Sequence, residues 1–96
     1  MNATIIWDLP DEPDGNVQHL LEHGVMTDEA EEVLLDPESS RAVSRSSGLP
    51  TAFGWTSTGR HLAVVYELVD EDPLTLRPVT AYDTPPPRVW KKRRKP

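Results

Sequence analysis

The sequence predicts a small α+β domain in which two N-terminal helices pack on a curved antiparallel sheet of four to five strands. Its 96 residues suffice for one domain with one modest core. Apolar residues recur at helical spacing in the first third of the chain, whereas later segments are short, β-branched and aromatic, as strands are. The predicted element order is therefore β-α-α-β-β-β-β, with the last strands joined as a meander.

The first helix is predicted to follow a loop of prolines, acids and a glycine at residues 8–15. Its apolar face consists of three residues at helical spacing, Val17, Leu20 and Leu21. Asp14 or Asn16 can cap its start, because a short side-chain oxygen accepts bonds from unpaired N–H groups. Gly24 can adopt the left-handed conformation that ends a helix.

The second helix is predicted to begin near Thr27, a plausible N-cap followed by two acids that suit the positive end of the helix dipole. Its apolar stripe is Ala30, Val33 and Leu34. Proline disfavours helix in the residue before it, so Asp36-Pro37 should end this helix.

The strands are predicted at residues 4–7, 42–45, 51–56, 61–69 and 74–82. Residues 61–69 contain a nearly continuous apolar run, which is typical of a central strand covered on both faces. Residues 57–59 should form the tight hairpin connection before it. Pro78 cannot donate to a ladder and predicts an edge or a bulge. Trp7 and Phe53 are predicted to be core residues, and Trp55 should share the face of Phe53.

Charge divides the chain into a body and a tail. The net charge is −6, but residues 1–87 hold four basic and sixteen acidic residues, for −12, and residues 88–96 carry +6. We predict a domain at residues 1–84 and a Pro-rich linker with a basic tail at residues 85–96. The lack of cysteine excludes disulfides, and no apolar run suits a membrane span or a signal peptide. We therefore expect a cytoplasmic protein with no membrane partner.

Several short motifs occur in a recognisable order over residues 4–84. They are Trp7-Asp8, Asn16, His23-Gly24-Val25, Asp28-Glu29-Ala30, Asp36-Pro37, Gly59-Arg60, the run 62–66 and the run 78–82. In this order they resemble the BrnT-type toxin family. The resemblance implies a RelE-like fold and ribosome-independent endoribonuclease activity on RNA. It also implies an antitoxin, encoded by an adjacent gene, that binds the toxin and represses the shared operon.

Metal-independent RNA cleavage needs a base, an acid and a cation that stabilises the phosphorane-like transition state. Histidine suits the proton transfers and arginine suits the phosphate. The candidate catalytic residues are His23, Arg45, Arg60, His61, Arg77 and Tyr82. If the strands align as predicted, the three arginines converge; the alternative is that they are solvated strand-end charges paired with the many acids. Likewise, His23 has a structural alternative at a helix C-terminus, and His61 has one as a surface residue at a sheet end.

His19 and His23 are four residues apart, with Glu22 between them, and match an inverted zinc-protease pattern. The predicted helix ends at once and the sequence offers no third ligand. We therefore predict neither a metal site nor a cofactor.

The basic run consists of Lys91, Lys92, Arg93, Arg94 and Lys95. It can bind nucleic acid nonspecifically, dock on the acidic body or on a partner, or have no specific role. Trp90 beside it can stack on a nucleobase, insert into a partner or anchor the tail to the body.

Three functions fit these observations. The first is a BrnT-like toxin that cleaves RNA. The second is a degenerate relative that keeps the fold and partner binding but has lost catalysis, because Glu22 stands where the family usually has a basic residue. The third is a small nucleic-acid-binding protein that uses its basic tail.

Overall fold

The computed structural model of the chain describes residues 2–86. Its elements are β1 (Thr4–Ile5), α1 (Asn16–Glu22), α2 (Thr27–Leu35), β2 (Ser40–Val43), β3 (Pro50–Trp55), β4 (His61–Glu71) and β5 (Leu74–Asp83). The α+β class and the order of elements agree with the prediction. Neither helix is long and apolar enough to cross a lipid bilayer. The basic run at residues 91–95 and Trp90 lie outside the described residues.

The sheet has five strands in the order β1-β5-β4-β3-β2. Strands β2 to β5 form the predicted antiparallel meander. Strand β1 pairs with β5 in parallel, with Thr4 opposite Thr75 and Ile5 opposite Leu76. The prediction of an antiparallel sheet is therefore wrong at this strand. A two-residue strand carries no information on pairing direction, which the path of the chain through both helices sets instead.

The predicted N-caps are wrong by one position, whereas the predicted helix ends are confirmed. Asn16 and Thr27 are the first helical residues, and neither Gly15 nor Met26 before them makes a side-chain cap bond. Instead, the Glu29 carboxylate accepts a hydrogen bond from the Met26 N–H at 3.0 Å. Gly24, at φ 73°, ends α1 in the left-handed conformation.

The core lies between the two helices and one face of the sheet. Its buried residues are Leu20, Val25, Ala30, Val33, Leu34, Ala52, Leu62, Val64, Tyr66, Leu76 and Ala81. The stripe predicted for α2 is confirmed, but Leu21 is exposed and Val25, just beyond α1, is buried instead. Trp7 packs against this cluster and donates its indole N–H to Glu31 at 2.6 Å.

Helix α2 lies very close to β3. A Cβ added at Gly54 would overlap the side chain of Ser39, and it would lie 3.4 Å from a methyl group of Val33. The Ser39 hydroxyl in turn donates to the Val33 carbonyl oxygen at 2.7 Å. A larger residue at position 54 would have to displace the Ser39 side chain and break its hydrogen bond to Val33.

The opposite face of the sheet carries a second set of side chains. Strand alternation places Phe53, Ala63 and Tyr82 in one cross-strand row on this face, next to the pair Trp55 and His61. We call these five residues the aromatic face. Phe53 is thus half-buried on the side away from the helices, and its predicted place in the core is wrong. Its predicted sharing of a face with Trp55 is confirmed.

Strand β4 is central, as predicted, with β5 on one side and β3 on the other. Its residues from His61 to Tyr66 are all buried. The register with β5 shifts between Val65 and Tyr66, where Tyr66 lies opposite Pro78. The predicted bulge at Pro78 is therefore confirmed. Strand β5 lies between β4 and β1, but β1 pairs only with Thr75 and Leu76, so Pro78 lies beyond the part of β5 that β1 covers.

Candidate functional site

The predicted site residues that come closest together lie at the end of the sheet where β4 begins. A surface pocket of about 470 Å³ opens there, lined by the end of β3, the β3–β4 turn, the start of β4 and residues 83–86. Trp55 and His61 are opposite each other in the ladder, with ring centroids 4.8 Å apart. Arg60 and Asp83 also line this pocket.

His61 is 9% exposed, which makes it a buried residue at the sheet end. Its Nδ1 lies 3.1 Å from the carbonyl oxygen of Thr84. Because a carbonyl only accepts, Nδ1 carries the proton in this contact. The sequence-based alternative of a surface histidine is therefore wrong.

Tyr82 lies beside His61 on the same face. It pairs with Ala63, one step along the face from His61, and its residue is 41% exposed. Trp55 is 45% exposed. Trp55 lines the pocket, and exposed aromatic side chains such as Trp55 and Tyr82 supply large apolar area with little entropy to lose, which is typical of a binding surface.

The Arg60 guanidinium donates four hydrogen bonds to acceptors of its own chain. Its Nε and Nη2 donate to the two Asp83 carboxylate oxygens at 3.1 and 2.8 Å. Its Nη1 donates to Glu29 at 2.8 Å and to the Gly24 carbonyl at 2.9 Å. The hydrogen bonds to Asp83, and then those to Glu29, raise the pKa of Arg60, and the same contact lowers the pKa of Asp83.

Arg77 is held in the same way on β5. Its Nη2 lies 2.7 Å from Asp8 and its Nη1 lies 3.8 Å from Glu67. The backbone N–H of Asn16, and then Arg77, lower the pKa of Asp8. Arg77 lies opposite Glu67 in the ladder, six residues along β4 from His61, which is about 20 Å.

Arg45 lies exposed in the turn between β2 and β3. This turn joins the ends of those strands at Val43 and Pro50, whereas His61 pairs with Trp55 at the other end of β3. The expected convergence of Arg45, Arg60 and Arg77 is therefore not found. Arg60 and Arg77 instead pair with nearby carboxylates, as in the alternative given above.

His23 does not join the aromatic face. It follows α1 as its C-cap residue, is exposed, and makes an edge contact with the ring of His19 at 5.5 Å between centroids. His19 also lies 3.9 Å from Glu22. Within residues 2–86, no group of three His, Asp or Glu side chains is placed to hold a metal ion.

Sequence reasoning missed the acids that hold the arginines. Glu29 and Asp83 are 31 and 23 residues away from Arg60 in the chain. The predicted hairpin of β4 and β5 contained a signal for Asp83, because its register places the end of β5 beside the start of β4. No comparable signal linked Glu29 in α2 to Arg60.

Comparison of the chain with protein-family models, curated proteins and solved structures found no match. The resemblance to BrnT-type toxins therefore stays a prediction.

Proposed function

We propose that the chain binds a partner protein, as the degenerate toxin component of a type II toxin–antitoxin pair with a BrnT- or RelE-like fold, and that it does not cleave RNA. One observation carries this proposal. Arg60 donates hydrogen bonds to Asp83, Glu29 and a backbone carbonyl oxygen, and Arg77 donates one to Asp8.

Cleavage of RNA needs a cation that is free to bind the phosphate. A phosphate at Arg60 must displace two carboxylates that stay within a few ångströms, so the repulsion between like charges opposes binding. The same holds for Arg77 between Asp8 and Glu67. Arg45 lies at the other end of β3. Within residues 2–86, the chain therefore has no arginine beside His61 that is free of carboxylates and could bind the phosphate of an RNA.

Partner binding is supported by the exposed aromatic rings and by charge. Trp55 and Tyr82 present apolar area that this part of the chain leaves open to solvent. The body carries −12 over residues 1–87, which repels a polyanion and attracts a basic protein. An antitoxin encoded by an adjacent gene, with a cationic segment, is a partner of this chemistry.

Endoribonuclease activity is the second candidate, favoured by one observation. His61 lines the pocket, and Tyr82 lies on the same face of the sheet one step further along, opposite Ala63, so an acid and a base for RNA cleavage share one face. On this reading Arg60 exchanges its carboxylates for the phosphate.

A nuclease assay separates the two candidates. The full chain is incubated with RNA in EDTA from pH 5 to pH 8, and we expect no cleavage. Cleavage that disappears in both His61→Ala and Arg60→Ala would overturn the proposal in favour of the second candidate.

Partner binding is tested with the protein encoded by the adjacent reading frame, titrated against the full chain. We expect Trp55→Ala and Tyr82→Ala each to weaken binding by about 30-fold or more, because truncated aromatic hot spots typically cost at least about 2 kcal/mol. Leu9→Ala is the matched control, since Leu9 is exposed in the loop before α1 and outside the aromatic face. If the unaltered chain and the three variants all bind the partner equally, the proposed binding surface is contradicted.

A further inference from the structure

The apolar layer between the helices and the sheet reaches solvent at the end of the sheet where the β4–β5 hairpin turns. Leu68 of β4 pairs with Leu76 of β5, which belongs to the core cluster, and residues that pair across a ladder share a face. Leu76 is 2% exposed, whereas Leu68 is 49% exposed. Within residues 2–86, this part of the helix side of β4 is therefore left open by both helices.

Two adjoining pockets open at this end of the sheet. The first, of about 260 Å³, is lined by Pro50, Tyr66, Leu68, Leu74 and Leu76. The second, of about 320 Å³, is lined by Leu35 at the end of α2, by Pro73 and Leu74 of the hairpin, and by residues 2–4. Leu74 lines both pockets, so they lie side by side, and we call them together the hairpin groove.

The hairpin groove suits the side chains of a protein segment better than a small molecule. Small-molecule sites typically enclose about 300–1,000 Å³ and hold a few polar groups that orient the ligand. The first pocket is smaller, and its only side-chain polar group is the Tyr66 hydroxyl, which lies 3.5 Å from Nη1 of Arg41. An apolar side chain needs no such group, because removal from water alone stabilises it there.

The charge around the hairpin groove is mainly negative. The hairpin carries three consecutive acids at residues 70–72, and Asp36 directly follows α2. These acids are adjacent in sequence to Pro73 and Leu35, which line the second pocket. Two arginines also lie at this end, Arg41 beside the Tyr66 ring and Arg45 in the turn before β3, so the acids outnumber them by four to two. This charge attracts a cationic segment.

We propose that the hairpin groove binds a basic amphipathic segment of a partner protein, with apolar side chains in the two pockets and cations beside Asp36 and residues 70–72. A second copy of this chain is a poorer occupant, because two such ends place acids against acids. The hairpin groove is separate from the aromatic face, since Leu68 lies on the opposite face of the sheet and seven residues along β4 from His61, which is about 23 Å. The inference therefore goes beyond the proposed function and does not rest on it.

Nuclear magnetic resonance of the full chain tests the proposal, with a synthetic amphipathic peptide of leucine and lysine as the probe. We expect the peptide to shift the methyl signals of Leu68 and Leu74 and to leave those of Leu21 unchanged. Leu68→Gln should weaken peptide binding by about tenfold, since the polar side chain loses the stabilisation that burial of leucine gives. Leu21→Gln, the matched control, changes an exposed leucine that lines neither pocket and should leave the affinity unchanged. Glu71→Lys keeps both pockets and should weaken binding by about threefold.

The proposal is overturned if the Leu68 and Leu74 methyl signals do not respond to the peptide, or if Leu68→Gln binds it as tightly as Leu21→Gln does. If Leu68→Gln does not fold, unchanged binding by Glu71→Lys overturns it. A peptide in which glutamate replaces lysine is the charge control, and equal binding of both peptides contradicts a basic occupant. Shifts of the same methyl signals on dilution of the chain alone assign the surface to a second copy. Failure of a partner to bind the aromatic face leaves all of these readouts intact.

Discussion

Asn16→Ala should destabilise the fold more than any other polar substitution in α1. The Asn16 side chain is buried and links three segments of the chain. Its Oδ1 accepts from the Asp8 N–H at 2.8 Å, and its Nδ2 donates to the carbonyl oxygens of Ile6 and Pro78, each at 3.0 Å. Alanine leaves one donor and two acceptors of the backbone without this partner.

The magnitude follows from those three groups. A buried polar group left without a partner costs about 1–3 kcal/mol, and less where water replaces the partner. The contact with Pro78 is buried, and the other two are part-buried. Alanine regains a few tenths of a kcal/mol in helix propensity. We therefore expect the free energy of unfolding to fall by about 2–4 kcal/mol, and Tm to fall by about 10–25 °C.

Urea and thermal unfolding of the full chain, followed by circular dichroism, measure this difference. Gln18→Ala is the matched control in the same helix, because it removes one exposed hydrogen bond, to the Pro10 carbonyl oxygen. We expect the control to change the free energy of unfolding by less than about 0.5 kcal/mol. A loss below about 1 kcal/mol in Asn16→Ala would refute the reasoning, since it would mean that water satisfies all three groups at no net cost.

Two further predictions concern packing and pH. Gly54→Ala should lower the free energy of unfolding by about 1–3 kcal/mol, because the added methyl group overlaps the Ser39 side chain. The double variant with Ser39→Gly should recover part of this loss. Urea titrations measure both effects, and purely additive effects would contradict the contact between residues 54 and 39. The pKa values of Asp8 and Asp83 lie below the ordinary 3.8, so their contribution to stability is present above the ordinary value and is lost as pH falls from there through the lowered pKa values. Urea titrations from pH 7 to pH 2.5 check this direction, and a rise in stability on acidification would contradict it.

Much of the fold could be predicted because local chemistry determines it. Gly24 and Asp36-Pro37 end their helices where the sequence indicates, and the apolar run at residues 62–66 forms the central strand. Pro78 has no N–H to donate, and a bulge occurs at that position. In each case the deciding property belongs to one or two adjacent residues.

Other features depend on where distant segments meet. The parallel pairing of Thr4 and Ile5 is decided by the path of the chain through two helices. Leu21 fits the apolar spacing of α1, yet the helix is short and turns this residue to solvent. These outcomes follow from tertiary packing, which the spacing of residues within one segment does not predict.

The candidate site was predicted only in part, because three of its six predicted residues, His23, Arg45 and Arg77, lie elsewhere. His61, Tyr82 and Arg60 were candidates by residue type, and the structure brings them to one end of the sheet. The partners of Arg60 decide what it can bind, and these are a helix residue and a strand-end residue far away in the chain. Side-chain pairing at this distance follows from the fold alone.

The hydrogen bonds of Asn16 also determine which backbone groups of β5 remain available beyond the end of β1. After the Ile6 N–H has donated to Leu76, the next step of a parallel ladder would join the Asp8 N–H to the Pro78 carbonyl. The carboxamide of Asn16 takes that place: it receives the Asp8 N–H and passes a hydrogen bond on to Pro78. The Asn16 side chain thus makes hydrogen bonds to both strands where the backbone ladder between them stops. Since Pro78 lacks an N–H, this stretch of the rim is closed to an incoming strand and is protected from edge-to-edge aggregation.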